Sequence, residues 1–181
     1  MFAGYTHPEA VIRCQNGVAE VFGTVSTAHL QLCPQHHGPL TPDVCEELQH
    51  RWPGTQFRLH ANVRVGKNHP RYDASTPWAE SEGYFREMVD RHRRLKAPAY
   101  TVHAGSRAQA SLHDMADNVR RIEDIFGSPV GIEGMYYTRD NGWLVSDWEE
   151  YSWLLTSGLN YAIDLSHLNI VARRTRRIEH D

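Results

Sequence analysis

The sequence predicts an α/β protein built around a parallel sheet, and three observations support this fold class. Short apolar runs of strand length alternate with longer segments whose apolar residues recur every three or four positions. Strands and helices that alternate in this way are typical of βαβ units. Residues of metal-ligand type also stand at the ends of several runs, where α/β proteins hold their functional side chains.

Five apolar runs are predicted to form strands, and a sixth candidate at the N-terminus is weaker. The six runs cover residues 1–5, 18–22, 57–63, 99–103, 130–133 and 161–165. The pattern continues without a linker or a low-complexity stretch. We therefore expect a single domain over residues 1–181, with a sheet of about six strands.

Helices are predicted between these strands from their start signals and their apolar stripes. Thr41 and Thr76 each precede a proline, which is a favourable start for a helix. Ser146 and Glu149 match a capping box for the last of these helices. The clearest stripe has a spacing of three or four residues throughout and consists of Ala108, Leu112, Met115, Val119, Ile122 and Phe126.

The composition is that of an ordinary globular protein with a slight acidic balance. Of its 181 residues, 40% are hydrophobic and 23% are charged, and the net charge is −3. No overall basic field would attract nucleic acid. The three cysteines, Cys14, Cys33 and Cys45, lack the spacing of a thiolate zinc site. We expect a cytoplasmic protein that neither crosses nor binds a membrane.

Five polar residues of metal-ligand type are expected to meet at one end of the sheet. His60, His103, Glu133 and Asp164 lie at the ends of four successive runs, and His167 follows Asp164 by three positions. Ligands of α/β proteins bind beyond the carboxyl ends of parallel strands. Imidazole and carboxylate groups together suit a divalent ion such as Zn, Mn, Fe or Co. Taken singly, His60 and His103 each fit the role of a buried, hydrogen-bonded residue, and Asp164 fits a helix cap.

Most of the other histidines stand in polar or loop-like contexts and are expected at the surface. They are His29, His36, His37, His50, His69, His92, His113 and His180. Gly105 and Gly134, which follow two of the candidate ligands, would let the backbone bend closely around a site. Glu20, near the end of an early run, is a weaker candidate for a second acidic group.

These motifs, in this order, resemble the xylose isomerase-like TIM-barrel superfamily. The resemblance rests on FRLH at His60, TVHAG at His103, GIE at Glu133 and IDLSH from Asp164 to His167. It covers residues 18–172 and implies a (β/α) TIM-barrel-like parallel sheet. The superfamily holds sugar and sugar-phosphate isomerases and epimerases, endonuclease IV-type enzymes and metal-dependent enzymes that modify peptides.

The resemblance implies two alternative ligand sets. In the endonuclease IV branch, His60, His103 and Glu133 would hold one ion, Asp164 a second ion that Glu133 bridges, and His167 a third. In the epimerase branch, Glu133 and Asp164 would hold a single ion and His167 would contact the substrate. The presence of both His60 and His103 favours a site with more than one ion.

The chain departs from the superfamily in its length. A full barrel takes about 250 residues, and no counterpart of the last two strands and their ligands follows His167. We therefore expect a barrel that is incomplete at its C-terminus. Its open edges would pair with a second copy or with another chain.

Three functions follow as expectations. The first is a sugar or sugar-phosphate isomerase or epimerase with a small, polar, sugar-like substrate, in which Glu133 and His167 are the catalytic residues. The second is an endonuclease IV-like phosphodiester hydrolase, although binding of nucleic acid is not favoured by the charge balance. The third is an incomplete barrel that acts as a binding module or as part of a complex. The basic runs at 91–96 and 173–177 are expected to be solvated helix faces or tails.

Overall fold

The computed structural model describes residues 6–16, 18–19, 23–24, 26–33, 39–62 and 71–176. They belong to two compact units. The first unit consists of Met1–Arg71 and Arg86–Tyr100, and the second of Tyr72–Phe85 and Thr101–Asp181. The prediction of a single domain stays a prediction. Over the described part of the chain, every helix is too short or too polar to cross a bilayer.

The described residues form six helices and seven strands, which alternate from β3 onwards. The helices are α1 (His7–Asn16), α2 (Pro42–Arg51), α3 (Trp78–Arg94), α4 (Leu112–Phe126), α5 (Trp148–Thr156) and α6 (Leu165–Thr175). The strands are β1 (Val18–Ala19), β2 (Gly23–Thr24), β3 (His29–Leu32), β4 (Gln56–His60), β5 (Tyr100–His103), β6 (Val130–Glu133) and β7 (Tyr161–Ala162).

The predicted α/β class with a parallel sheet is confirmed. Strands β3 to β7 form one five-stranded sheet in chain order, and the described residues do not close it into a barrel. Strand β3 pairs with β4, and β6 with β7, in parallel register. Five strands thus stand in this sheet, where about six were expected.

The N-terminal part of the chain differs from the sequence-based expectation. Within the run at 18–22, β1 pairs with β2 in a separate antiparallel sheet and not in the parallel one. Strand β3 begins the parallel sheet, and its sequence, HLQL, was not predicted because it is short and half polar. The predicted strand at 1–5 and the candidate Glu20 lie outside the described residues.

In the first unit, β4 and α2 supply much of the core. Phe57 and Leu59 alternate with polar residues along β4 and are fully buried. Helix α2 begins as predicted, since the Thr41 side chain accepts a hydrogen bond from the Val44 amide and Pro42 is the first helical residue. Cys45 and Leu48, three positions apart on α2, are also fully buried.

In the second unit, α4 packs against β6 through the predicted apolar stripe. Met115, Val119 and Ile122 are fully buried, as are Val130 and Ile132 on β6. The helix starts at a capping box of Ser111 and Asp114 and ends at Gly127 in the left-handed conformation, with φ 64°. Ala108, which was predicted to begin this stripe, precedes the helix.

Helix α5 begins one residue later than its predicted capping box. Asp147 is the N-cap, and its side chain accepts a hydrogen bond from the Glu150 amide. Ser146 instead donates its hydroxyl to the Trp143 carbonyl at 2.9 Å. The carboxylate of Glu150 binds Arg107 through two hydrogen bonds of 2.6 and 2.7 Å, which tie α5 to the loop that follows β5.

A buried polar turn fixes the backbone just after β5. The Asp73 carboxylate accepts hydrogen bonds from the Ser75 amide at 3.1 Å and the Ser75 hydroxyl at 2.6 Å. The Ser75 hydroxyl oxygen in turn accepts one from the Ser106 amide at 2.8 Å. Gly105 lies against this turn with φ 95°, and a Cβ there would overlap the side chains of Ser75 and Asp73. The expectation that Gly105 permits a close bend is confirmed.

Gly105→Ala should therefore destabilise the protein strongly. The substitution combines a disfavoured backbone conformation with steric overlap, and we expect the free energy of unfolding to fall by about 2–4 kcal/mol. Urea denaturation followed by circular dichroism measures this change. Gly83→Ala is the matched control, because Gly83 lies within α3 and a Cβ there meets nothing within 4 Å. The control should be neutral or stabilising by up to about 1 kcal/mol, and equal losses in both variants would contradict the argument.

Candidate metal centre

The ends of β5, β6 and β7 are aligned by main-chain hydrogen bonds in the second unit. The Ala104 amide donates to the Glu133 carbonyl at 3.0 Å, immediately after β5. On the other side of β6, Glu133 is in register with Ala162 of β7. Strands β5 and β6 end at His103 and Glu133, as the sequence predicts. The alignment places these two side chains next to each other.

His103 and Glu133 form the more buried half of the cluster. The His103 Nε2 atom lies 3.4 Å from Glu133 Oε1, and their side chains are only 11% and 12% exposed. On β6, Val130 and Ile132 face the core, so the alternation of the strand turns Glu133 to the opposite side. A carboxylate placed in such a sheltered position needs a cation or hydrogen-bond donors to offset its desolvation.

The two carboxylate oxygens of Asp164 make different contacts. Strand β7 ends at Ala162, so Asp164 is not the last strand residue but the N-cap of α6. Oδ1 accepts hydrogen bonds from the Ser166 amide at 2.7 Å, the Ser166 hydroxyl at 2.6 Å and the His167 amide at 3.2 Å. Oδ2 lies 3.8 Å from His167 Nε2. The cap and the candidate ligand are therefore the same residue.

His167 is oriented by the backbone that follows β6. Its Nδ1 atom lies 2.8 Å from the Gly134 carbonyl oxygen, which can only accept, so Nδ1 carries the proton and donates. In the neutral imidazole Nε2 is then the nitrogen with the lone pair, and it lies 3.8 Å from Asp164 Oδ2. Histidines that bind metals commonly donate their other ring N–H to a backbone carbonyl or a carboxylate. Nδ1 also lies 3.6 Å from Glu133 Oε1.

The electrostatic environment favours the charged form of Asp164. Partial burial acts to raise the pKa of this carboxyl, but the hydrogen bonds from Ser166 and the proximity of His167 outweigh it. The net result is a pKa below the usual value for aspartate. A carboxylate must be deprotonated to bind a metal ion, so this shift assists binding.

Tyr151 of α5 forms a wall behind the cluster. Its hydroxyl donates to the Met135 carbonyl at 2.9 Å, and a Cβ at Gly134 would overlap its ring. Burial raises the pKa of Tyr151, and the charges of Glu133 and Asp164 raise it further. The phenol therefore stays protonated and serves as a fixed donor. From the sequence, Tyr151 is only one residue of an apolar helical stripe, and nothing in the pattern indicates that it packs behind Glu133 and Asp164.

Three residues of the second unit, Glu133, Asp164 and His167, are close enough to share a divalent ion. Donor atoms that share one ion at about 2.0–2.2 Å lie roughly 3–4 Å from each other. The separations of 3.4 Å and 3.8 Å between histidine nitrogens and carboxylate oxygens agree with this spacing. One donor atom each from Glu133, Asp164 and His167 lie within 4.8 Å of one another. One imidazole and two carboxylates suit zinc, manganese, iron or cobalt, and His103 lies beside Glu133 as a further nitrogen donor.

The remaining predicted residues have the following positions. His60 ends β4 in the first unit, is buried, and has Nδ1 2.6 Å from the Ala61 carbonyl oxygen, so Nδ1 donates here too. His92, which was expected at the surface, is buried on α3 with only 4% exposure. That expectation was wrong because His92 lies on the apolar face of the helix, near Met88 and Leu95. His36, His37, His69 and His180 lie outside the described residues.

A cavity of about 630 Å³ adjoins the cluster. It is lined by Tyr136, Tyr137, Thr138, Arg139, Ile170, Arg173 and Arg174. Tyr136 links it to the cluster, since its ring centroid lies 5.0 Å from that of His167. Arg173 and Arg174, expected from the sequence to form a solvated face, thus lie on the cavity wall, and the segment at 136–139 forms another part of the lining. The sequence signal for this lining is the position of the segment shortly after Glu133, the last residue of β6, where functional loops of α/β proteins lie.

Comparison with solved structures identifies the fold. An AP endonuclease, family 2, from Brucella melitensis matches with a TM-score of 0.63 and 16% identity, over 94% of this chain and 67% of that one. A D-tagatose 3-epimerase-like protein matches with a TM-score of 0.57 and 16% identity, over 80% of this chain and 59% of that one. The chain has the fold of the xylose isomerase-like TIM-barrel proteins.

A third structure of this xylose isomerase-like fold is a probable 3-DHS dehydratase from Bacillus anthracis, described as involved in petrobactin synthesis. It matches with a TM-score of 0.53 and 12% identity, over 90% of this chain and 58% of that one. The chain thus spans about three-fifths of the length of the epimerase-like and dehydratase structures. No protein-family model matches the sequence, and no curated protein does.

Tyr151→Phe tests the wall of the candidate metal centre. The variant keeps the ring but leaves the buried Met135 carbonyl without this donor, so we expect the free energy of unfolding to fall by about 1–2 kcal/mol. Chemical denaturation measures the change. Tyr161→Phe is the control, because Tyr161 is 49% exposed on β7. A loss of equal size in the control, or none in Tyr151→Phe, would refute the role of the hydroxyl.

Proposed function

We propose that the chain is a divalent-metal-dependent isomerase or epimerase that acts on a sugar or a sugar phosphate. The observation that carries this proposal is the set of donor atoms from Glu133, Asp164 and His167, with His103 beside Glu133. Their spacing suits an ion, and the hydrogen bond from His167 Nδ1 to Gly134 directs Nε2 towards Asp164. The fold is compatible with sugar chemistry, because one protein that shares it is described as D-tagatose 3-epimerase-like.

The chemistry requires a group that moves a proton between neighbouring carbons. A bound divalent ion would polarise a substrate carbonyl and make the adjacent C–H bond more acidic. We assign the proton transfer to Glu133, whose carboxylate stands between the two histidines. Because the Glu133 side chain is largely buried, a proton that it takes from one substrate carbon would be returned to the neighbouring carbon more readily than lost to solvent. In the arrangement in which Glu133 and Asp164 hold the ion, we assign contact with a substrate oxygen to His167, through Nε2.

Solvent deuterium exchange tests this activity directly. Protein loaded with Mn, Co or Zn should incorporate deuterium from D₂O at a carbon next to the carbonyl of a ketose or ketose phosphate. Proton NMR over a panel of such substrates measures the exchange. Exchange that persists after chelation of the metal, or its absence from every substrate in the panel, would contradict the proposal.

A phosphodiester hydrolase is the second candidate function. The observation that favours it is the donor set itself, because two histidines with two carboxylates can hold more than one ion. Incision of a DNA duplex that contains an abasic site distinguishes the two candidates. Metal-dependent incision without carbon-bound exchange would establish the hydrolase in place of the isomerase.

Glu133→Gln tests the metal centre itself. The amide is nearly isosteric but lacks the charge, and loss of a direct ligand should weaken metal affinity by at least about 100-fold. Isothermal titration of the chelated protein with Zn or Mn measures the affinity. Glu149→Gln is the control, since Glu149 is exposed in the first turn of α5. Unchanged affinity in Glu133→Gln, or an equal loss in the control, would overturn the assignment.

Two further assignments stay predictions from the sequence. One is the role of His60 as an additional ligand. The other is the association of the chain with a second copy or with another protein. Metal content of a His60→Ala variant tests the first, and sedimentation analysis tests the second.

A further inference from the structure

Three arginines line the cavity beside the candidate metal centre, and no acidic residue among those that the structure describes offsets their charges. Arg139, Arg173 and Arg174 form no ion pair with any residue that the structure describes. Other arginines of the chain behave differently: Arg107 binds Glu150 and Arg94 binds Asp90. Cations gathered around one concave surface without counter-charges raise its potential and favour a bound anion.

Helix α6 connects this cavity to the cluster. His167, Ile170 and Arg174 are spaced by three and four residues, so they share one face of the helix. The seven residue steps from His167 to Arg174 correspond to roughly 10 Å along the helix axis. One ligand with a few carbon atoms between its two polar ends can bridge such a span. Tyr136, which contacts His167 and also lines the cavity, stands between the two regions.

We infer that this cavity holds the phosphate group of a phosphorylated polyol whose other end lies at the metal centre. The inference rests on the proposed function. A phosphate monoester carries a charge of about −1.5 to −2 near neutral pH, which matches three guanidinium groups better than a single carboxylate does. Guanidinium groups also bind phosphate oxygens in pairs, with charge-assisted hydrogen bonds.

The shape of the cavity favours a small molecule over a nucleic acid. Its volume of about 630 Å³ lies within the range of roughly 300–1,000 Å³ that is typical of small-ligand sites. A nucleic acid would need a longer cationic track along the surface. The net charge of −3 gives no such general attraction.

Binding of phosphate to the metal-free protein tests the subsite without reliance on the metal. Inorganic phosphate, ribose 5-phosphate, ribose and acetate are titrated into chelated protein by calorimetry. Ribose 5-phosphate and phosphate should bind, while ribose and acetate should bind at least about tenfold more weakly. Equal affinity for acetate and phosphate would overturn the assignment to phosphate. Tighter binding of a short single-stranded oligonucleotide than of ribose 5-phosphate would overturn it in favour of nucleic acid.

The residues are tested by the double variant Arg173→Gln with Arg174→Gln. Loss of two cations should weaken the binding of ribose 5-phosphate by about tenfold or more, with no change in Zn affinity. Arg120→Gln is the control, since Arg120 is exposed on α4 and pairs with Asp117. An equal effect in the control, or none in the double variant, refutes the subsite. Circular dichroism verifies that both variants fold, which is expected because these arginines are exposed.

The two proposals fail in different ways. Glu133→Gln should lose metal affinity and keep phosphate binding in chelated protein, whereas the arginine variant should show the reverse. Absence of phosphate binding in the unsubstituted protein refutes the subsite and leaves the metal centre standing. Absence of metal binding in the unsubstituted protein refutes the metal centre and leaves the subsite standing.

Discussion

The hydrogen bond from His167 Nδ1 to the Gly134 carbonyl is the contact on which the candidate site depends. It joins the first turn of α6 to the backbone that leaves β6, over 33 positions of sequence. The bond sets the tautomer of the imidazole and the direction of Nε2 at the same time. The segment also requires glycine at position 134, because a Cβ there would overlap the ring of Tyr151, which lies behind the site. Tyr151 and His167 therefore both pack on the segment that carries Glu133.

Asp164 shows how one side chain can satisfy a structural and a chemical demand together. The first-turn amides of α6 need acceptors, and Oδ1 supplies them. With Oδ1 held in this way, Oδ2 has a fixed direction towards His167. The same hydrogen bonds lower the pKa of the carboxyl, which keeps Oδ2 available to a cation. Capping of α6 by Asp164 does not require an imidazole three positions later, so the pairing with His167 is a separate feature of this turn.

The sequence predicted most of what local pattern controls. The spacing of Met115, Val119 and Ile122 predicted a buried helix face, and the ends of β5 and β6 were placed correctly at His103 and Glu133. Both features follow from periodicity and from a polar residue after an apolar run.

What the sequence could not predict depends on tertiary contacts. Strand β3 carries two polar residues among four and is recognisable only through its register with β4. Asp164 lies beyond its strand because β7 is only two residues long. Tyr151 reaches the site through packing on Gly134, and no spacing in the sequence signals that contact.

Helix α6 supplies both ends of the proposed substrate site, and its start therefore determines the geometry of the whole. Asp164 defines the first turn, which places His167 beside Glu133 and carries Arg173 and Arg174 two turns further along. A shift of the helix start by one residue would rotate these side chains by about 100° and separate them from the cluster. The rigid spacing of a helix thus relates the candidate metal centre to the cationic cavity. A substrate that met both regions, as proposed, would be selected by its length as well as by its charge.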